Sequence, residues 1–330
     1  MTFKQNIKRL LRPLKSRLVA FSGEMTKSID DTAKNALAYN VLRDLDIKNK
    51  DEVLVSFYPK IGSKITHTKN IATMQRFLEL TCPIFVENLV RIGGANDGGY
   101  VMINPRINLT CDSDFTPPNF SLKNHIDFTK SKPKAISLGV SPYSPWDLDM
   151  ANIGYQVLEY DASIKAPPYK HKNIIFHKKF VGVKDSNDTI SFENVILQNH
   201  LNQDDCNVLQ CDIEDCEWEI LEQVDLSNIA RFFPQMIFEF HNCNPNDTSL
   251  SEPRLAILEK ILTHYTPIHT HFNNFGAVFY SGGYFWGEVV EVSYLRNDLI
   301  PKNADKIKGV CLLNIDSPNM RGYPDIPVIF

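Results

Sequence analysis

The chain has 330 residues, 43% of them hydrophobic, and a formal net charge of −4, so it can bury one full core with an extension beside it, and its bulk charge gives no reason to expect a nucleic-acid partner. No run of about 18 apolar residues occurs, which argues against a membrane-spanning helix. The seven cysteines form no CxxC pair and are odd in number, which disfavours both a disulfide framework and a thiolate zinc site.

The first twenty residues carry Lys4, Lys8, Arg9, Arg12, Lys15 and Arg17 without an acid, interleaved with Phe3, Ile7, Leu10, Leu11, Leu14 and Leu18. This basic amphipathic pattern suits a helix lying on an anionic membrane surface or one packed on its own domain. It lacks the uninterrupted apolar core of a secretory signal. A cytoplasmic protein is expected, with peripheral membrane contact through residues 1–20 as an open alternative. Residues 28–46 read as a helix capped by Ser28 or Asp30, with Ile29, Ala33, Ala36, Leu37, Val41, Leu42 and Leu45 at helical spacing. A second helix is expected near 70–80. Residues 1–85 are thus a helical, basic extension and 86–330 the main domain, with residues 110–133, rich in Asp, Ser, Pro and Asn, as a loop to the first core strand.

Residues 91–100 place Gly93, Gly94, Gly98 and Gly99 among Arg91, Asp97 and Tyr100. Glycines at that density permit positive φ and close backbone approach, so the segment can wrap the amino-acid end of a cofactor. A hairpin turn at Asp97-Gly98 leading into a strand at 100–103 is an equally consistent reading.

Next, the apolar run at 135–138 meets Gly139, a short amphipathic helix follows, and a second apolar run at 156–160 ends on Asp161. That is the opening βαβ half of a nucleotide-type cofactor site. Gly139 would form the contact floor, and Asp161 would accept hydrogen bonds from both ribose hydroxyls. The plain alternative is a strand-to-helix turn and a solvated loop acid. No GxGxxG is present to seat a pyrophosphate. A phosphate-free adenosyl cofactor is therefore favoured.

Apolar runs at 173–176, 207–210 and 235–240 then alternate with polar or helical stretches, including a helix at 217–223, as in a mostly parallel sheet with crossover helices. The run at 287–295 reads as an antiparallel edge hairpin. Cys206, Cys211 and Cys216 fit neither a strand face nor a helix face and are expected to be buried free thiols. Asp212 and Glu214 follow a strand at the carboxyl edge of the sheet, where ligands sit. An acid cluster favouring the dipole of the next helix would explain Asp215 and Glu217 well but Asp212 poorly. Period two puts Glu239 and His241 on one side of their strand end, as a general base with a nearby acid or as a structural pair. His269, His271 and Asn273 make one face of a later strand polar.

Together these segments resemble the FkbM-type methyltransferase family, in the branch with an Arg-Gly-Gly-x-x-Asp-Gly-Gly-Tyr segment upstream of the core. The matching parts are Arg91 to Tyr100, Ser137-Leu-Gly-Val, Trp146-Asp147, Glu159-Tyr-Asp161, the stretch from Leu209 to Leu221, Phe238-Glu-Phe-His241 and His271-Phe-Asn-Asn274, in order over about residues 88–296. Gln210 stands where lysine is common, Asp215 replaces a glycine, and the first motif has one glycine followed by Ser141-Pro142.

The resemblance implies an α/β, Rossmann-like class I methyltransferase fold with a mostly parallel central sheet and an antiparallel C-terminal hairpin. It also implies S-adenosylmethionine as cofactor, with Arg91, Asp97, Tyr100, Gly139, Ser141, Asp161 and Asp212 as its contacts. The implied reaction is O-methylation of a hydroxyl on a sugar, glycan or related small molecule, with His241 or Asp212 as the base and His271 next. A divalent metal on Asp212, Glu239, His241 or Asn273 is not favoured, because no tight ligand spacing is visible. The competing readings are a nucleotide-sugar-modifying α/β enzyme and a non-catalytic nucleoside-binding protein at the membrane surface.

Overall fold

A computed structural model of the chain describes residues 65–109, 125–301, 304–309, 311, 313–320 and 325–330. The expected helices at 1–20 and 28–46 and most of the loop at 110–133 lie outside the described residues. No helix among the described residues is long and apolar enough to cross a membrane.

The first elements are strand β1 (Ile65–His67) and helix α1 (Ile71–Thr81), where a helix is expected from the sequence. A hairpin, β2 (Leu89–Ile92) and β3 (Tyr100–Ile103), follows. Then come β4 (Lys134–Leu138), α2 (Pro145–Ile153), β5 (Gln156–Tyr160) and β6 (Ile174–His177). Helix α2 begins with Pro145 behind Ser144, its acid Asp147 lies in the first turn, and Gly154 ends it at φ +129°, the usual placement of proline and glycine at helix ends. A small parallel pair, β7 (Phe180–Gly182) and β8 (Thr189–Ser191), leads to α3 (Phe192–Gln198), whose first turn is capped by Ser191 accepting the Asn194 N–H. The chain continues through β9 (Val208–Cys211), α4 (Cys216–Gln223), α5 (Leu226–Phe232), β10 (Gln235–Phe240), α6 (Thr248–Leu262), β11 (Tyr265–Phe272), β12 (Val278–Ser281), β13 (Tyr284–Gly287) and β14 (Val290–Arg296).

Seven of these strands form one sheet in the order β11-β14-β10-β9-β4-β5-β6. Pairing is parallel from β10 to β6, and β14 runs antiparallel to both neighbours. The expected edge hairpin is therefore corrected: β14 lies inside the sheet and β11 takes the edge. All residues of β14 from Val290 to Leu295 are buried, so neither side of the strand can be left to water, and pairing on both sides satisfies its backbone.

Alternation along the strands feeds two cores. Ile136, Leu138, Leu158, Leu209, Met236 and Phe238 pack with α4, α5, α6 and α1 on one face. Ala135, Val157, Val208 and Ile237 pack on the other with Trp146 and Met150 of α2 and with Tyr100 and Met102 of β3. Residues 65–81 share the first core: β1 pairs with β12, and Phe77 stacks on Trp286 with ring centroids 5.0 Å apart. Of the three evenly spaced thiols, Cys206 and Cys211 are buried as expected, whereas Cys216 is exposed. It opens α4 on the solvent side.

After β4 the chain steps outward through β5 and β6, then returns to place β9 on the other side of β4. The reversal opens a crevice at the carboxyl ends of β4 and β9, the position where open α/β sheets bind ligands.

Candidate functional site

The crevice floor is set by Gly139 at φ +83°. Its N–H donates to the Tyr160 carbonyl at 3.1 Å, and the Asp212 N–H donates to the Leu138 carbonyl at 2.9 Å. A Cβ on residue 139 would lie 1.6 Å from the Asp212 carbonyl oxygen. Glycine is therefore required here by the protein's own backbone, a stronger demand than the ligand contact expected from the sequence.

At the end of β5, Asp161 accepts the Val140 N–H at 3.0 Å through Oδ2 and the Ser163 N–H through Oδ1. A carboxylate offers about four lone-pair sites, so roughly two remain for a ligand. Ser141 spends its hydroxyl on its own turn, donating to the Tyr143 carbonyl at 2.6 Å and accepting the Tyr143 N–H at 3.0 Å.

Beside this floor, at the ends of β9, β10 and β11, lies a cavity of about 880 Å³ whose walls include Asp97, Asp212, Glu214, Glu239, His241 and Asn273. The lining carries five carboxylates, counting Glu288, and no Lys or Arg among the described residues. His241 is held from behind by Glu217, whose Oε1 accepts its backbone N–H at 2.8 Å and lies 3.1 Å from Nδ1. An acceptor there fixes the proton on Nδ1 and turns Nε2 toward the cavity. Nε2 then stands 3.6 Å from Asp212 Oδ1, 3.6 Å from Glu214 Oε2 and 3.8 Å from Glu239 Oε1.

Burial, against the opposing charge of His241, and the nearby Glu214 push the Asp212 carboxyl up to about 7. Burial disfavours the charged form of His241, but the bond to Glu217 and the surrounding carboxylates outweigh it and raise its pKa. Glu239 is raised well above the carboxylate range by burial and by the charges of Asp212, Glu291 and Asp97. Its Oε1 accepts from Asn273 Nδ2 at 2.9 Å.

A polar layer lies beneath the cavity. The Tyr100 phenol oxygen is 3.4 Å from Asp212 Oδ2 and 3.5 Å from Glu239 Oε2, and it accepts from Gln210 Nε2 at 3.4 Å. Gln210 Oε1 in turn accepts the Ser137 hydroxyl at 3.0 Å. Tyr100 thus props the two acids from below. Deeper still, Asp147 and Glu159 are buried together, and burial raises them to about 7 and about 8.

Among the residues singled out from the sequence, Asp97, Asp212, Glu214, Glu239, His241 and Asn273 come together around the cavity. Gly139, Ser141 and Asp161 sit on the neighbouring β4 and β5 side of the crevice. Arg91 is occupied in organising the glycine loop: Nε donates to the Gly94 carbonyl at 2.6 Å and Nη2 to the Asn96 carbonyl at 2.7 Å. His271 is buried with both ring nitrogens engaged, Nδ1 with Glu291 at 3.2 Å and Nε2 with Asp325 at 2.8 Å. It is held by the C-terminal segment's Asp325 and does not line the cavity.

Two contributions were missed. Glu217, read as a helix-dipole acid, is fully buried behind His241. Residues 313–320 close one wall with Asn319 and Met320. They are tied down by His269 Nε2 to Asp316 Oδ1 at 2.8 Å, the Asn96 N–H to Ser317 Oγ at 3.0 Å, the Asp97 N–H to the Asn319 carbonyl at 3.1 Å and the Met320 N–H to Asn274 Oδ1 at 2.7 Å. The only sequence signal was the pair of strand histidines without a nearby acid.

No curated protein and no solved structure matches the chain. The family described as the methyltransferase FkbM domain matches residues 81–266, more than half of the sequence and the part that supplies both the crevice floor and the acid-imidazole cluster. The chain belongs to the FkbM methyltransferase domain family, and a methyltransferase is the activity that its family supports.

Proposed function

We propose that the chain is a Rossmann-like, class I methyltransferase that uses S-adenosylmethionine to methylate a hydroxyl oxygen of a sugar, glycan or related small molecule. The observation that carries this reading is the convergence of Asp212, Glu239 and His241 at strand ends beside the topological reversal.

The residues present suit that cofactor. Asp161 keeps roughly two acceptor sites for the ribose hydroxyls. The acidic lining favours a cationic sulfonium, and the described lining has no Lys or Arg for the phosphates of a nucleotide sugar. When bound, S-adenosylmethionine supplies an electrophilic methyl group.

The chain's part is positioning and proton removal. Holding an acceptor oxygen in line at the cluster can supply up to roughly 7–11 kcal/mol of the barrier. A hydroxyl is a poor nucleophile while protonated, and the carboxylate-imidazole cluster receives its proton, for roughly 10²–10⁴-fold. Glu217 and Tyr100 keep His241, Asp212 and Glu239 in register for that task. The test is transfer of a labelled methyl group from S-adenosylmethionine to extracted glycans. One added methyl per acceptor, on oxygen, is expected, and it should be lost in His241→Ala. Label found on nitrogen or carbon would refute the hydroxyl acceptor.

A further inference from the structure

We infer that Asp212, Glu214 and His241 bind a hard divalent cation of the Mg²⁺ or Mn²⁺ class at the acceptor end of the cavity. One ligand atom from each of the three can be chosen so that all lie within 4.8 Å of one another.

The molecule contains its own controls for what a histidine does beside an acid. His269 closes on Asp316 at 2.8 Å and His271 on Asp325 at 2.8 Å, both direct hydrogen bonds. His241 does not: Nε2 stands off at 3.6, 3.6 and 3.8 Å from three carboxylate oxygens, too far to bond any of them. Donors placed about 2.1 Å from a common centre are separated from one another by about 3–4 Å, so the stand-off is the spacing of ligands around an ion.

A second observation is the burial of the ring and the support behind it. His241 is nine-tenths buried, and Glu217 engages Nδ1, leaving Nε2 without a hydrogen-bond partner and aimed at the cluster. A carboxylate behind the far ring nitrogen is the support that metal-bound imidazoles carry. A third concerns charge: five carboxylates line the cavity with no Lys or Arg among the described residues. Two carboxylate oxygens and one neutral imidazole suit Mg²⁺ or Mn²⁺ better than a thiophilic metal. The remaining coordination positions are open to water or to a hydroxyl. The role of the ion rests on the methyltransferase reading, whereas its binding does not: it would hold the acceptor hydroxyl and lower its pKa, and with His241 Nε2 and Asp212 spent as ligands the proton would pass to Glu239 or to water.

The experiment is titration of the full chain with Mn²⁺, followed by electron paramagnetic resonance, with a parallel calorimetric titration of S-adenosylhomocysteine. One Mn²⁺ per chain is expected, with hyperfine coupling to an imidazole nitrogen that disappears in His241→Ala. Glu214→Gln alters an exposed side chain and leaves the fold intact, and it should weaken Mn²⁺ binding at least about tenfold, as should Glu217→Gln, by about 10–100-fold. Absence of stoichiometric Mn²⁺, or bound Mn²⁺ without the nitrogen coupling, would overturn the site. Bound nucleoside without Mn²⁺ would remove the ion and keep the methyltransferase; Mn²⁺ without nucleoside would do the reverse.

Discussion

Replacing Gly139 by alanine tests how the crevice floor is built. The new Cβ would sit 1.6 Å from the Asp212 carbonyl oxygen and 2.6 Å from its carbon. Relief requires the ends of β4 and β9 to part by about 1.5–2 Å. That movement breaks the Asp212 N–H bond to Leu138 and the Gly139 N–H bond to Tyr160, now 2.9 and 3.1 Å. Each lost bond costs about 1 kcal/mol, or about 1–3 kcal/mol if a partner is left buried and unsatisfied. A side chain held near φ +83° adds about 1–2 kcal/mol. The sum is about 3–8 kcal/mol, a large share of the roughly 5–15 kcal/mol that holds a domain of this kind together. Urea unfolding of Gly139→Ala should show that loss, and any folded fraction should bind S-adenosylhomocysteine poorly because Asp212 is displaced. A loss under about 1 kcal/mol would mean that the strands yield freely and that the close approach is not what demands glycine.

Other substitutions reach different parts of the account. Asp147 and Glu159 are carried to about 7 and about 8 by burial, so they stay protonated in the fold while the unfolded chain ionises from about pH 4 upward. Their raised values give stability that is complete at low pH and lost as pH rises through the folded values. Thermal midpoints should therefore fall between about pH 4 and 8, and the double variant Asp147→Asn, Glu159→Gln should flatten that slope and exceed the native chain at pH 8. An unchanged slope would exclude the pair as its source. His271→Leu leaves Glu291 and Asp325 buried without their cation, and a loss of about 3–5 kcal/mol is expected in urea unfolding; a stable variant devoid of methyl transfer would instead make His271 catalytic. Arg91→Lys removes one of the two donors that clamp the glycine loop, and faster hydrogen exchange at residues 93–99 is expected, with unchanged exchange refuting the clamp.

Much of the fold could be read because its parallel strands are buried on both faces and stand out as apolar runs ending in acids. Asp212, Glu239 and His241 were found by that logic, since a strand-end position and a period of two need no tertiary knowledge. Glu217 could not be, because an acid in the first turn of a helix has a sufficient local explanation in the dipole. Only the packing of α4 under β10 shows it holding His241. The surroundings of His271 are hidden for the same reason in reverse: its partners Glu291 and Asp325 lie 20 and 54 residues away, so the sequence displays a histidine without its acids. The internal place of β14 depended on which strands pair, and an apolar run fixes burial without choosing neighbours. Asp215 marks a further limit. It adopts φ +86°, in the left-handed region that favours glycine, and Arg254 Nη2 holds its carboxylate at 2.6 Å, a long-range partner that no local pattern announces.

Adenosyl-cofactor binding at the β4 and β5 side of the crevice is measured directly by calorimetric titration of S-adenosylhomocysteine into the native chain and Asp161→Ala. Saturable one-to-one binding to the native chain is expected, weakened about 10–100-fold in the variant through the loss of charge-assisted hydrogen bonds to the ribose. Absence of binding to the native chain, or equal binding to both, would contradict it.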